Sequence, residues 1–222
     1  FCSKKLKIYL TIIISIGMFF LIFAFNKIFI YNSLDIIGFL LFVSLSILSE
    51  LLAVNMKYGS ISVGFAINLA AILLFGPYGA AIIAGFGMAF RMREGEFLEW
   101  YKILFNVSAI SITAGMAGFM YKIAGGKILL NSLSSNFTPI FLAVITYLII
   151  NNITIATVIA LSQNINIWEV WRSNIKWTVP NYLALAILGI LITAIYINMG
   201  AVAILLFFIP LTLARQSFKM YQ

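Results

Sequence analysis

Histidine is absent from this 222-residue chain, cysteine occurs once, and aspartate and glutamate together number six. Each scarcity excludes something. Without histidine the usual imidazole ligands of zinc and haem are missing, and so is a histidine-based proton relay. The single Cys2 cannot close an internal disulfide, and beside an apolar segment it reads as a bland terminal residue rather than an acylation site. No acid–base pair, activated nucleophile or phosphate-cradling motif stands in the sequence. The chain is therefore expected to be no enzyme, with no catalytic residue, metal or cofactor of its own. Charged residues make up only 9% of the total, too few to solvate a soluble domain, against 64% hydrophobic.

What the chain does have is long apolar runs. They are continuous rather than alternating with period two, which argues for helices and against a membrane β-barrel. Eight such segments can be counted, at about 6–25, 34–54, 61–76, 79–91, 98–124, 139–163, 179–198 and 201–214. The expected fold is an all-α, polytopic transmembrane helical bundle, forming one integral membrane domain over residues 1–222. Its first segment follows Lys4, Lys5 and Lys7 but lacks a small-residue cleavage site, so it reads as a retained helix rather than a signal peptide. The chain opens on Phe1 rather than Met, as a piece excised from a longer protein would.

Two places break the pattern of full-length spans. Val63 to Phe86 is interrupted only by Gly76-Pro77-Tyr78-Gly79, which makes two helices, each too short. A hydrocarbon core of about 30 Å needs roughly 20 helical residues. From Ala80 to Arg91 the rise is only ~17 Å, so the turn is expected below the far surface. Irregular backbone survives at that depth only when buried in protein or lining a wet cavity. A second short pair is expected around Asn198-Met199-Gly200. The loop Gly125 to Thr138 is long enough to fold over both turns as a lid.

Charge supplies a test of this count. With alternate connections on opposite sides, Lys4, Lys5, Lys7, Lys57, Arg91, Arg93, Lys102, Arg172, Lys176, Arg215 and Lys219 collect on one side, and Lys27, Lys122 and Lys127 on the other. The bias is lost if the Pro77 hairpin is one span. Both termini are thus expected in the cytoplasm. The net charge of +8 is then a topology signal, and no nucleic-acid partner is expected. Trp168, Trp171 and Ile175 recur at helical spacing among Glu169, Arg172 and Lys176, as in a short amphipathic helix lying in the inner interface.

The polar residues inside the spans are the candidate site. Ser108, Ser111, Gly115, Gly118 and Lys122 share one helix face, as a packing seam or a ligand wall. Asn68 and Asn151 are expected near mid-depth, with Tyr147 and Thr154 on the face of Asn151. Amides in hydrocarbon need partners, so they form either a polar lock between helices or the polar floor of a cavity. The candidate ligand-binding residues are Asn68, Ser111, Tyr147, Asn151 and Tyr196, for a small molecule arriving from the outer side. Asp35 and Glu50 fall near the ends of the second span, and nothing ionisable is expected at mid-depth, where ion-coupled pumps usually keep it.

The stretch ISVGFAINLAAILLFGPYGAAIIAGFG resembles the membrane region that precedes HD-GYP or related phosphohydrolase output domains in certain bacteria. WEVWRSNIKWTVPNYLALAILG and the ending LARQSFKMYQ are similar to later parts of that region. This resemblance implies the sensing or anchoring half of a signalling protein, its last helix leading through Arg215 to Tyr221 into a cytoplasmic output domain beyond residue 222. The turn FGPYGAAIIAGFG is also similar to the substrate-binding S components of energy-coupling-factor transporters. That likeness implies an S-component-like bundle, binding a vitamin-sized molecule and docking to a coupling module.

Overall fold

The computed structural model describes residues 3–28, 35–56, 59–93, 96–127 and 133–200. Six helices account for most of them: α1 (Lys4–Ile28), α2 (Ile36–Leu51), α3 (Gly64–Ala89), α4 (Trp100–Ile123), α5 (Leu133–Gln163) and α6 (Ile167–Met199). Two antiparallel ribbons, β1 (Val54–Met56) with β2 (Gly59–Ile61) and β3 (Met92–Arg93) with β4 (Glu96–Phe97), tie short connections. The fold is an all-α polytopic bundle, as the apolar runs require. Asp35 caps α2, its carboxylate accepting from the Gly38 amide at 3.0 Å. Asn166 caps α6 in the same way, through the Trp168 amide at 2.9 Å. Asn164, with φ of 56°, closes α5, and the Ile165 amide returns to the Ala160 carbonyl.

Five of these helices are long and apolar enough to cross a membrane by length and composition, α3 among them. Its neighbours show that α3 does not run straight. Gly76 leaves the helical region, at φ 67° and ψ −167°, and Pro77 follows it. Before the break, Gly64 lies against the Glu50 carboxylate near the end of α2, while Phe75 meets Phe39 and Phe42 near its start. After the break the order reverses. Gly79 lies by Ile28, Gly85 by Leu21, Gly87 by Ser46, and Arg91 is back at Glu50. The two legs are antiparallel, so the chain doubles back at Gly76 and the expected pair of short helices is present.

The turn is sunk. It lies level with Phe39 and Gly118, which are roughly 5 Å and 8 Å inside the ends of α2 and α4 at 1.5 Å per residue, and beside Ile28, the last residue of α1. Protein covers it: Pro77 is buried, and a Cβ on Gly118 would come within 2.6 Å of the Pro77 Cα. Glycine is required at 118 for this approach and at 76 for the positive φ. The helix order brings Lys4, Lys5, Lys7, Arg91, Lys102, Arg172 and Lys176 to one end of the bundle, here the basic end. Lys27, Lys122 and Lys127 occupy the opposite, far end.

Three expectations need correction or restriction. Helix α5 starts at Leu133, six residues before the expected 139, so residues 133–138 are helix rather than lid. Asn136 holds that start in place, its Oδ1 accepting from the Lys127 amide at 2.9 Å and the Tyr121 hydroxyl at 3.2 Å. Of the rest of the lid, 125–127 follow α4 without helix, and 128–132 lie outside the described residues. The amphipathic stretch at Trp168 is no separate helix but the first turns of α6, which continues through Pro180. Proline removes only the bond to Lys176, whose side chain is exposed at the basic end. The last expected segment, 201–214, with the second hairpin and Arg215 to Tyr221, lies outside the described residues.

Candidate functional site

Small residues bring the sunken hairpin close to its neighbours, and polar residues then join them. On the α4 side, Ser111 donates to the Ala81 carbonyl at 3.0 Å, Gly85 lies on Ser111, and Gly118 lies on Pro77. Ser108 meets Gly17 of α1, and Gly115 meets Phe20. The serine–glycine face is thus a packing seam, and Ser111 sits within it, away from the other candidate residues. On the α6 side, Gly189 rests against the Ala66 carbonyl and Leu69.

Between α3, α5 and α6 lies a knot of amides and phenols. Asn68 Nδ2 donates to the Tyr147 hydroxyl at 2.9 Å, with both side chains buried. One helical turn along α5, Asn151 Nδ2 donates to the Tyr182 hydroxyl at 2.7 Å. The Phe65 ring joins the two pairs, stacked on Tyr182 at 4.3 Å and edge-on to Tyr147 at 4.7 Å. The structure therefore brings Asn68, Tyr147 and Asn151 together, but through tyrosines rather than amide to amide. Asn68 Oδ1 is buried and has no hydrogen-bond partner. Turning the amide over would exchange the bonded atom and still leave one of the two open. An unmet amide atom at this depth costs on the order of 1–3 kcal/mol, which makes the position the one under-satisfied point of the knot among the described residues.

Tyr196 lies elsewhere, beside the sunken turn. Its ring is edge-on to Phe42 at 5.5 Å, and its hydroxyl donates to the Asp35 carboxylate. That hydroxyl and the Gly38 amide hold the Asp35 carboxyl below its ordinary pKa, the amide having the larger effect. The far side of the turn has a matching collar, with Tyr78 edge-on to Phe23 and Phe119.

The sequence reading missed three participants. Tyr182 is one, although a tyrosine inside an apolar span signals a hydroxyl in need of a partner. Phe65 had no signal beyond its helical spacing from Asn68. The third is Glu50, whose Oε2 lies 2.9 Å from Arg91 Nη1 and whose Oε1 accepts from Ser62 at 2.7 Å. Ser62 in turn accepts from the Gly64 amide at 2.8 Å. One carboxylate thereby ties both feet of the hairpin, placing negative charge at the first leg's N-terminus and a cation just past the second leg's C-terminus.

Among the described residues, one cleft opens near the basic end by Lys4, Lys5 and Asn164 and another by Glu169 and Arg172. Neither is lined by Asn68, Ser111, Tyr147, Asn151 or Tyr196. Among the described residues no group of three or more Cys, Asp or Glu could hold a metal ion. The sequence model of MASE9, a family of membrane-associated sensor domains, matches residues 20–222. No curated protein and no solved structure matches the chain.

Proposed function

The chain belongs to the MASE9 family of membrane-associated sensor domains, and from that premise we propose that it is a small-molecule-sensing region of a bacterial signalling protein. In this reading it lies in the cytoplasmic membrane with both termini inside, and its C-terminal helix drives a cytoplasmic output domain of the HD-GYP or related phosphohydrolase kind. The observation that carries the reading is the grip of α6 on the hairpin at three levels. Tyr182 stacks on Phe65, Gly189 rests on Ala66 and Leu69, and Tyr196 meets Phe75. A shift of the hairpin has to move α6, the helix that leads toward the C-terminal segment. The open acceptor on Asn68 gives a ligand donor something to gain by entering the knot.

Sensing requires a ligand that binds two packings of the bundle with different affinity. Native mass spectrometry of the gently purified protein will reveal a retained compound. Output is then measured from a phosphohydrolase domain joined after Gln222, with and without that compound. Output that responds in the parent chain and is blunted in Asn68→Leu supports sensing. Output indifferent to the compound in the parent chain overturns it. Release of the compound across the membrane would then favour a transport component.

A further inference from the structure

The larger of the two cavities is a cleft of about 560 Å³ where the start of α1 meets the α5–α6 turn, within the roughly 300–1,000 Å³ of small-ligand sites. Among the described residues its polar lining is Ser3, Lys4, Lys5, Thr157 and Asn164, with no carboxylate. Lys4 and Lys5 form no ion pair among the described residues. Glu169, the single carboxylate of this turn, lines the neighbouring cleft together with Arg172 and Lys176. The rest of the lining is apolar, chiefly Ala160, Leu161 and Ile167. Beside it, Trp168 is 61% exposed and stacks on Trp171 at 4.7 Å. Tryptophans so placed mark the level of the membrane–water boundary.

We propose that this cleft binds the phosphate head of an anionic phospholipid, with Lys4 and Lys5 on the phosphate and the start of an acyl chain along Ala160 and Leu161. Two uncompensated cations with hydroxyl and amide donors select an anion. The apolar half of the lining selects an anion that carries a tail, which separates a lipid from free phosphate. The position fits as well, because basic clefts at the ends of spanning helices are where lipid head groups are held.

The test is native mass spectrometry of the full chain in mild detergent, titrated with phosphatidylglycerol or phosphatidylcholine. The parent chain is expected to retain phosphatidylglycerol in preference. Lys4→Gln with Lys5→Gln should weaken that retention by roughly 25-fold, about fivefold for each lysine near the surface. Leu161→Trp, which fills the cleft and leaves the charges, should weaken it too, while Lys27→Gln at the far end should not. Equal retention of the two lipids by the parent chain overturns the proposal. So does retention unchanged in both cleft variants. Displacement of phosphatidylglycerol by millimolar glycerol phosphate would show a free-phosphate site and overturn the lipid assignment.

Discussion

Helices α1 and α3 are of nearly equal length, yet only 17% of the apolar stretch of α1 is buried, against 67% of that of α3. Taken over the most apolar 18 residues of each helix, the more apolar stretch is the less buried one. In water the hydrophobic effect would reverse that order. In lipid, tails solvate isoleucine and phenylalanine as well as protein does, so hydropathy alone gives no drive inward. What draws α3 to the centre is its small residues, which permit close approach, and its polar ones, which need partners. Ile12, Ile16 and Phe19 of α1 are exposed accordingly, whereas Asn68, Ala70, Ala81 and Gly85 of α3 are buried.

The contrast is broken most severely at the feet of the hairpin. Glu50→Ala takes the carboxylate away from the partly buried Arg91 and unties Ser62. A buried pair broken on one side costs about 3–5 kcal/mol, and the 23% exposure of Arg91 places this one at the lower end. Thermal unfolding in detergent should show a large drop, while removing the exposed Glu99 from Lys102, 2.5 Å away, should leave the transition where it is. Next in size is Gly118→Leu, which drives a side chain into Pro77 and should cost about 1–3 kcal/mol by overpacking. Ile16→Leu on the lipid face of α1 is the matched control and should be silent in the same assay. Asn151→Leu comes third. It removes one interhelical hydrogen bond, about 0.6 kcal/mol on average in a membrane, so binding of a retained ligand should fall further than stability. Equal losses would assign Asn151 to the lock alone.

The smallest effect is the pH response of Asp35. Its carboxyl is held below the ordinary carboxylate range in the folded chain, so its cap contributes above that range. The contribution is lost as pH falls below about 4 and through the depressed folded value. Asp35→Asn should flatten the acid limb of a stability–pH curve slightly and leave the neutral region little changed.

The hairpin was legible in the sequence because its cause is local: Gly76-Pro77 cannot continue a helix, and the legs on either side are too short to span. The seam was legible for the same reason, since Ser108, Ser111, Gly115 and Gly118 declare one face by spacing alone. The partners were not legible. Asn68 and Asn151 read as two amides at one depth, yet each bonds a tyrosine, one helical turn apart along α5, and nothing in a linear pattern ranks a phenol above a second amide. The Glu50–Arg91 pair joins residues 41 apart, and it exists only because the chain doubles back between them. The early start of α5 and the continuity of α6 escaped because polar turns and an internal proline read as breaks, whereas Asn136 ties the first turn of α5 to Lys127 and Asn166 caps the start of α6.

The doubling back of α3 is tested most directly by a spin-label distance. Labels are attached at Val63→Cys and Phe90→Cys in a Cys2→Ser background, with the protein in lipid nanodiscs. Antiparallel legs that both meet Glu50 put the labels within roughly 20 Å, whereas one straight helix would separate them by about 40 Å at 1.5 Å per residue. A distribution centred near the longer distance would contradict the hairpin.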